Sequence, residues 1–392
     1  MPFVIYLLGL AVFAQGTSEF MLSGLVSGIA RDMHVSIPTA GALTSAFAVG
    51  MVIGAPLMAI LSLRWSRRRS LLTFLITFLL VHVLGALTTG YGVLLATRIV
   101  GALANAGFLA VALATATDMV APNAKGRAAS ILLGGITIAC VVGVPAGALL
   151  GQLWGWRSAF WAVAIVSVPA IIAILRSVPA GNPGSTHPSA RGELRSLRDR
   201  RLVATLLLGA LVNGATFCTF TYLAPLVTGV TGIESTWVPA ILALFGLGSF
   251  LGVTIGGRMA DVRPIPLLVT GGVALLIGWT VFAVTAGNPV AAIVLVFVQG
   301  TLSFAVGSTL ISQVLYAAAE APTLAGGFAT AAFNVGAAIG PWLGGISISA
   351  GLGYRSPLWV SALLVALALA TAGVAQGIRR STANPREELV TP

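Results

Sequence analysis

The sequence predicts an all-α membrane protein: twelve transmembrane helices in two six-helix, pseudo-symmetric halves. Three observations carry that expectation. Hydrophobic residues make up 57% of the chain and charged residues only 8%, against about 25% charged in an ordinary soluble domain. Apolar runs long enough to cross a bilayer, without a charge, recur from end to end. Features of the first half return in the second at one fixed offset.

The runs give spans at about 3–26, 39–63, 71–89, 91–114, 128–150 and 159–175, then 202–227, 238–257, 267–286, 290–313, 324–349 and 358–378. At 1.5 Å per residue each covers a hydrocarbon layer of about 30 Å. The first run has no basic flank and no soluble domain behind it, so it reads as a span and not a cleavable signal. Cys140 and Cys218 both fall inside apolar runs and read as small core residues.

The net charge of +11 does not point to nucleic acid, because of where the 21 basic residues fall. With the N-terminus inside, 17 lie in cytoplasmic segments and only Arg31, Arg157 and Arg355 lie outside. The positive-inside rule then predicts a multi-pass plasma (inner) membrane protein with both termini cytoplasmic. The one long connection, 177–201, holds Pro179, Pro183 and Pro188 and then a basic stretch, which suits a cytoplasmic linker on the membrane surface. The expected organisation is a six-helix half over 1–176, that linker, a second half over 202–378 and a short tail over 379–392.

The halves repeat at an offset of 198 residues. Trp156-Arg157-Ser158 returns as Tyr354-Arg355-Ser356, and Gln15-Gly16 as Asn213-Gly214. The loops after spans 2 and 8 align at the same offset. Two parallel repeats place a binding site near mid-membrane, between the halves.

Two charges lie within the spans, Glu19 in span 1 and Arg98 in span 4. A charge in hydrocarbon costs at least a few kcal/mol, so each is a functional candidate. Each sits seven residues from its outer span end, about 10 Å deep. Burial favours a neutral acid and a nearby guanidinium favours a charged one. The two charges could form a fixed ion pair, or could alternate as Glu19 takes and loses a proton.

Three segments identify a family resemblance: Phe13-Ala14-Gln15-Gly16-Thr17-Ser18-Glu19-Phe20-Met21, Leu43-Thr44-Ser45-Ala46-Phe47-Ala48-Val49-Gly50-Met51, and Arg98-Ile99-Val100-Gly101-Ala102-Leu103-Ala104-Asn105-Ala106-Gly107. The chain resembles major facilitator superfamily transporters of the twelve-span drug/proton antiporter type. Within that type it is similar to actinobacterial chloramphenicol-resistance exporters. The resemblance implies alternating access, with spans 1 and 4 lining the cavity and Glu19 and Arg98 coupling it to protons.

It also implies loop latches and helix hinges. The loop after span 2 carries Arg64, Arg67 and Arg68, but Ala59 and Leu63 stand where the family has Gly and Asp. The loop after span 8 keeps both, as Gly257 and Asp261, with Arg258 and Arg263. Gly143, Pro145 and Gly147 in span 5 resemble the drug-antiporter signature, and Gly340 and Pro341 form a cleaner copy in span 11. Glycines let helix backbones touch, and proline bends a helix, so these segments read as hinges or as tight packing.

Polar residues mark a candidate cavity. Gln15 shares a helix face with Glu19, and Asn105 shares one with Arg98; Asn213 is the repeat mate of Gln15. Gln299 and Ser303 in span 10 and Asn334 in span 11 add to them, with Phe217 and Tyr222 as aromatic walls. Any of these polar groups can equally serve a helix–helix hydrogen bond.

Several chemistries are missing. No phosphate-binding G-x-x-x-x-G-K-[ST] occurs, since the single lysine, Lys125, follows Ala124. His34, His82 and His187 are scattered and form no metal-site spacing, and nothing pairs a nucleophile with a base. The expected function is proton-coupled export of a small hydrophobic drug, chloramphenicol first. A broader multidrug or sugar exporter is the alternative, and an uptake symporter a more distant one. The expected partners are the drug, protons and the bilayer, with no cofactor, metal or nucleic acid, and a monomer.

Overall fold

A computed structural model describes residues 1–62, 65–121, 124–178, 200–260, 262–317 and 322–383. Its described residues are helical, with no strand, and twelve helices are long and apolar enough to cross a membrane. Most predicted spans extend by a few residues into polar sequence. The helix of span 3 starts at Arg67, where Ser66 Oγ accepts the Arg69 amide, a local cap. That of span 4 runs to Asp118, and the last helix to Ala383.

Spans 1 and 7 are not the single helices expected. Span 1 divides at Met21 into Phe3–Phe20 and Leu22–Asp32. Span 7 divides at Tyr222 into Arg200–Thr221 and Leu223–Gly229. Pro225 explains the second break, because it has no amide to donate to the Thr221 carbonyl one turn back. Span 5 is also interrupted: Lys125–Ile138 passes through a π-helix, Ala139–Gly143, before Val144–Trp154. Pro145 again removes the amide that would continue the α-helical ladder.

Small residues let spans 1 and 5 approach closely. A Cβ on Gly135 would lie 2.6 Å from the Gly9 carbonyl oxygen, and one on Gly143 2.0 Å from Thr17 Oγ1. Spans 1 and 5 therefore touch backbone to backbone. Span 2 packs along span 11, and span 5 along span 8, joining the first six spans to the last six. At the span 5–8 contact a Cβ on Gly246 would lie 2.4 Å from the Cys140 carbonyl oxygen. Outside the spans, Asp32 accepts from Arg157 and from Trp156 Nε1 at 3.1 Å, and Arg157 also donates to the Thr88 carbonyl at 3.0 Å. This clasp ties together one end each of spans 1, 3 and 6.

Candidate transport site

The site is built on the break in span 1. Ser18 and Glu19 occupy the last turn before Met21; Ser18 is fully buried and Glu19 half-buried. Span 4 brings Arg98, only 1% exposed, to the same level. Its Nη1 donates to Ser18 Oγ and its Nη2 to the Ser18 carbonyl, both at 2.8 Å. The guanidinium also lies 4.4 Å from the centre of the Phe47 ring of span 2, a cation–π contact that accommodates buried positive charge.

Span 3 completes the arrangement with His82, 2% exposed. His82 Nε2 is 2.6 Å from Ser18 Oγ, and Nδ1 is 2.6 Å from the Phe78 carbonyl. The donors follow by elimination. The Phe78 carbonyl only accepts, so it takes the Nδ1 proton; in the neutral imidazole Nε2 is then bare and accepts from Ser18 Oγ, which in turn accepts from Arg98. A chain of hydrogen bonds runs from Arg98 through Ser18 and His82 to Phe78. Among the described residues Glu19 has neither a hydrogen bond nor an ion pair.

The other cavity candidates are spread over several settings. Gln15 is 1% exposed with both amide atoms unpartnered, and the hydroxyls of Thr17, Thr44 and Ser45 are likewise unpartnered. A buried polar group without a partner costs about 1–3 kcal/mol, so these groups are ready to take a polar ligand atom or water. Asn105 is buried on the Arg98 face. Asn213 donates to the Phe333 carbonyl at 2.6 Å, tying span 7 to span 11. Gln299 donates to the Leu275 carbonyl at 3.2 Å, and Asn334 to that of Thr330 at 3.0 Å; Gln299 Oε1, Asn334 Oδ1 and Ser303 Oγ stay unpartnered.

Phe217 stacks on Phe20 across the two halves, ring centres 5.5 Å apart, and meets Phe220 edge-on at 6.1 Å. Tyr222 is 1% exposed and donates to the Pro341 carbonyl at 2.9 Å. It fills the space left by Gly41, Gly344 and Gly345, so in this structure it packs helices together.

The described residues place a lone carboxyl beside a docked arginine, inside a twelve-span bundle. Residues 8–326 match the model of the Major Facilitator Superfamily. The chain belongs to the major facilitator superfamily. It is therefore a multi-pass membrane transporter and not an enzyme.

A chloramphenicol resistance protein of Streptomyces lividans is 54% identical over 375 residues, covering 95% of this chain and 96% of that protein. The inner membrane transport protein YdhP of Escherichia coli is 36% identical, covering 92% and 93%. The fold is that of a bacterial homologue of the human lysosomal transporter Spinster, solved inward-facing and occupied. The TM-score is 0.75 at 18% identity, over 95% of this chain and 96% of that one.

Arg64 and Asp261 lie outside the described residues, as does Leu63. Arg67 pairs with Asp118 at the end of span 4, so the first loop has an acid partner that the alignment at Leu63 does not suggest. Arg68 is half-buried beside it, and Arg69 lies over the Trp65 ring at 5.2 Å. Gly257, Arg258 and Arg263 are exposed.

Gly143 ends the π-helix, Pro145 opens the helix after it, and a Cβ on Gly147 would lie 3.2 Å from Met21 Cβ. Pro341 lies inside its helix, and a Cβ on Gly340 would lie 2.1 Å from the Gly214 carbonyl oxygen. Sequence reasoning missed His82 and Asp118. The available signal for His82 was its position inside an apolar run, the argument that singles out Glu19.

Proposed function

We propose that this transporter exports a small, largely apolar drug in exchange for protons, with chloramphenicol as the first substrate. Glu19 carries the proton, and the segments 1–176 and 202–378 alternate access to a site between them. Both termini and the linker face the cytoplasm of the plasma membrane, and the monomer is the working unit. The observation that carries the reading is the unpaired, half-buried Glu19 beside an Arg98 bonded elsewhere. A carboxyl kept free of its nearest cation can take and release a proton without first breaking an ion pair.

The S. lividans relative supports the substrate, since that protein is named for chloramphenicol resistance. Cavity chemistry is compatible with it. Unpartnered amide and hydroxyl groups at Gln15, Thr17 and Thr44 suit a neutral ligand with hydroxyl and amide groups. One acid and one arginine would not neutralise a multiply charged one. A broader multidrug reading is favoured by the run of ring contacts Phe20–Phe217–Phe220–Phe245–Phe304, because stacked rings accept many apolar shapes.

The test is the inhibitory concentration of chloramphenicol and of unrelated drugs in a sensitive host, with and without the chain, each with a protonophore added. A protonophore-sensitive rise for chloramphenicol supports the reading. A rise only for other compounds discards the substrate, and a rise that survives the protonophore discards proton coupling.

A further inference from the structure

We propose that Ser18 and His82 are positioning residues that form a dock for Arg98, holding the guanidinium off the Glu19 carboxylate, and that the charge on Glu19 selects between dock and ion pair. The proposal rests on Glu19 being the proton site.

The dock has three parts. Ser18 Oγ and the Ser18 carbonyl each accept from Arg98 at 2.8 Å, and the Phe47 ring lies 4.4 Å from the guanidinium carbon. His82 is what makes the first part work. A serine hydroxyl rotates freely, and its proton can point in several directions. With Nε2 as acceptor at 2.6 Å the proton is drawn to His82, and the lone pairs are left for Arg98. The Nδ1 bond to the Phe78 carbonyl at 2.6 Å fixes the tautomer that leaves Nε2 bare, as a second hydrogen bond commonly does for a working histidine. The Phe78 and Phe160 rings pack against the imidazole, with centres 4.1 and 5.7 Å away.

The dock is built next to the acid and does not use it. Ser18 precedes Glu19 in the same helical turn, and Arg98 is close enough to feel the Glu19 charge. Arg98 Nε is buried without a partner, a donor in reserve for an ionised carboxylate. With Glu19 neutral there is little to pull the arginine away. With Glu19 charged, Coulomb attraction in a poorly screened interior competes with two neutral acceptors. The dock therefore eases protonation, by keeping the competing cation occupied.

The titratable neighbours are few. Arg98 comes from span 4, His82 from span 3, and Cys140 from the π-helix of span 5. On the helices of spans 5 and 6 that pack against span 1, Lys125, Arg127, Arg157 and Arg176 all sit at helix ends.

The experiment measures chloramphenicol efflux against pH in proteoliposomes, with drug–drug counterflow as a proton-independent check on folding and binding. His82→Phe keeps the ring but loses the acceptor; Ser18→Ala loses the hydroxyl. Each should move the midpoint of the pH profile toward acid by about one unit, because a carboxylate paired with arginine keeps its charge to lower pH. The double variant should shift no further than either single one. His82→Gln places an amide oxygen near the Nε2 position and should restore the wild-type midpoint.

Unmoved midpoints in both single variants, with counterflow intact, overturn the dock. If His82→Phe fails to insert, Ser18→Ala decides alone, since it removes one oxygen. Glu19→Gln separates the two readings. If it still responds to the pH gradient, the proton-site reading fails; if it is uncoupled while the single variants keep the wild-type midpoint, only the dock fails.

Discussion

Gly134 and Gly135 are adjacent in one helix of span 5 and should respond oppositely to the same methyl group. A Cβ on Gly134 meets nothing within 4 Å. A Cβ on Gly135 would lie 2.6 Å from the Gly9 carbonyl oxygen and 3.0 Å from the Phe13 nitrogen. Both contacts are backbone, so no side chain can swing away, and span 1 must retreat by about 0.8 Å to bring the 2.6 Å approach to ordinary contact distance. Replacing helical glycine by alanine contributes a gain of up to about 1 kcal/mol at either position. Overpacking costs about 1–3 kcal/mol at Gly135 alone. The propensity gain cancels in the comparison, so Gly135→Ala should be less stable than Gly134→Ala by about 1–3 kcal/mol. Unfolding free energies in mixed micelles measure this directly. Equal stabilities, or a more stable Gly135→Ala, would refute backbone-to-backbone packing of spans 1 and 5.

Three further outcomes follow from particular contacts. Asp118→Asn should cost under about 1 kcal/mol, because the Arg67 pair is over 40% exposed on each side, yet should slow transport if the pair is a latch; the charge-swapped double variant should recover the rate. The bonds from Arg157, then Trp156, hold the Asp32 carboxyl below its ordinary value of 3.8. The stability they add is present above that pH and is lost as acid protonates the group; Asp32→Asn should flatten this acid limb in a melting-temperature series, by a small amount since the carboxylate is nearly half exposed. Cysteines placed at Pro183 and Glu234 should label from opposite sides of intact cells, and labelling of both from outside would overturn the expected topology.

The twelve spans are legible in the sequence because a bilayer demands long apolar runs, and few other constraints produce them. Their ends are less so, since Arg67–Ser70 and Thr115–Asp118 are helical though polar, continuing a ladder already nucleated in the membrane. The break at Tyr222 and the π-helix at Ala139–Gly143 were half visible: Pro225 and Pro145 mark them, but where a ladder reorganises depends on which backbone approaches. Close approaches such as Gly246 on Cys140 belong to tertiary structure, and glycine spacing alone names no partner.

The site divides along the same line. Glu19 and Arg98 stand out because charge is expensive in hydrocarbon. What Arg98 binds was not legible, since Ser18, His82 and Phe47 lie on three other stretches of chain. Asp118 escaped for a similar reason: the alignment of loops directs attention to Leu63, whereas the acid that meets Arg67 ends a different span.

Drug accumulation in inverted membrane vesicles under an imposed pH gradient, acid inside, tests the central claim most directly. The wild-type chain should concentrate chloramphenicol, and Glu19→Gln should bind the drug and perform counterflow but fail to concentrate it. Full gradient-driven accumulation by Glu19→Gln would show that Glu19 is not the proton carrier.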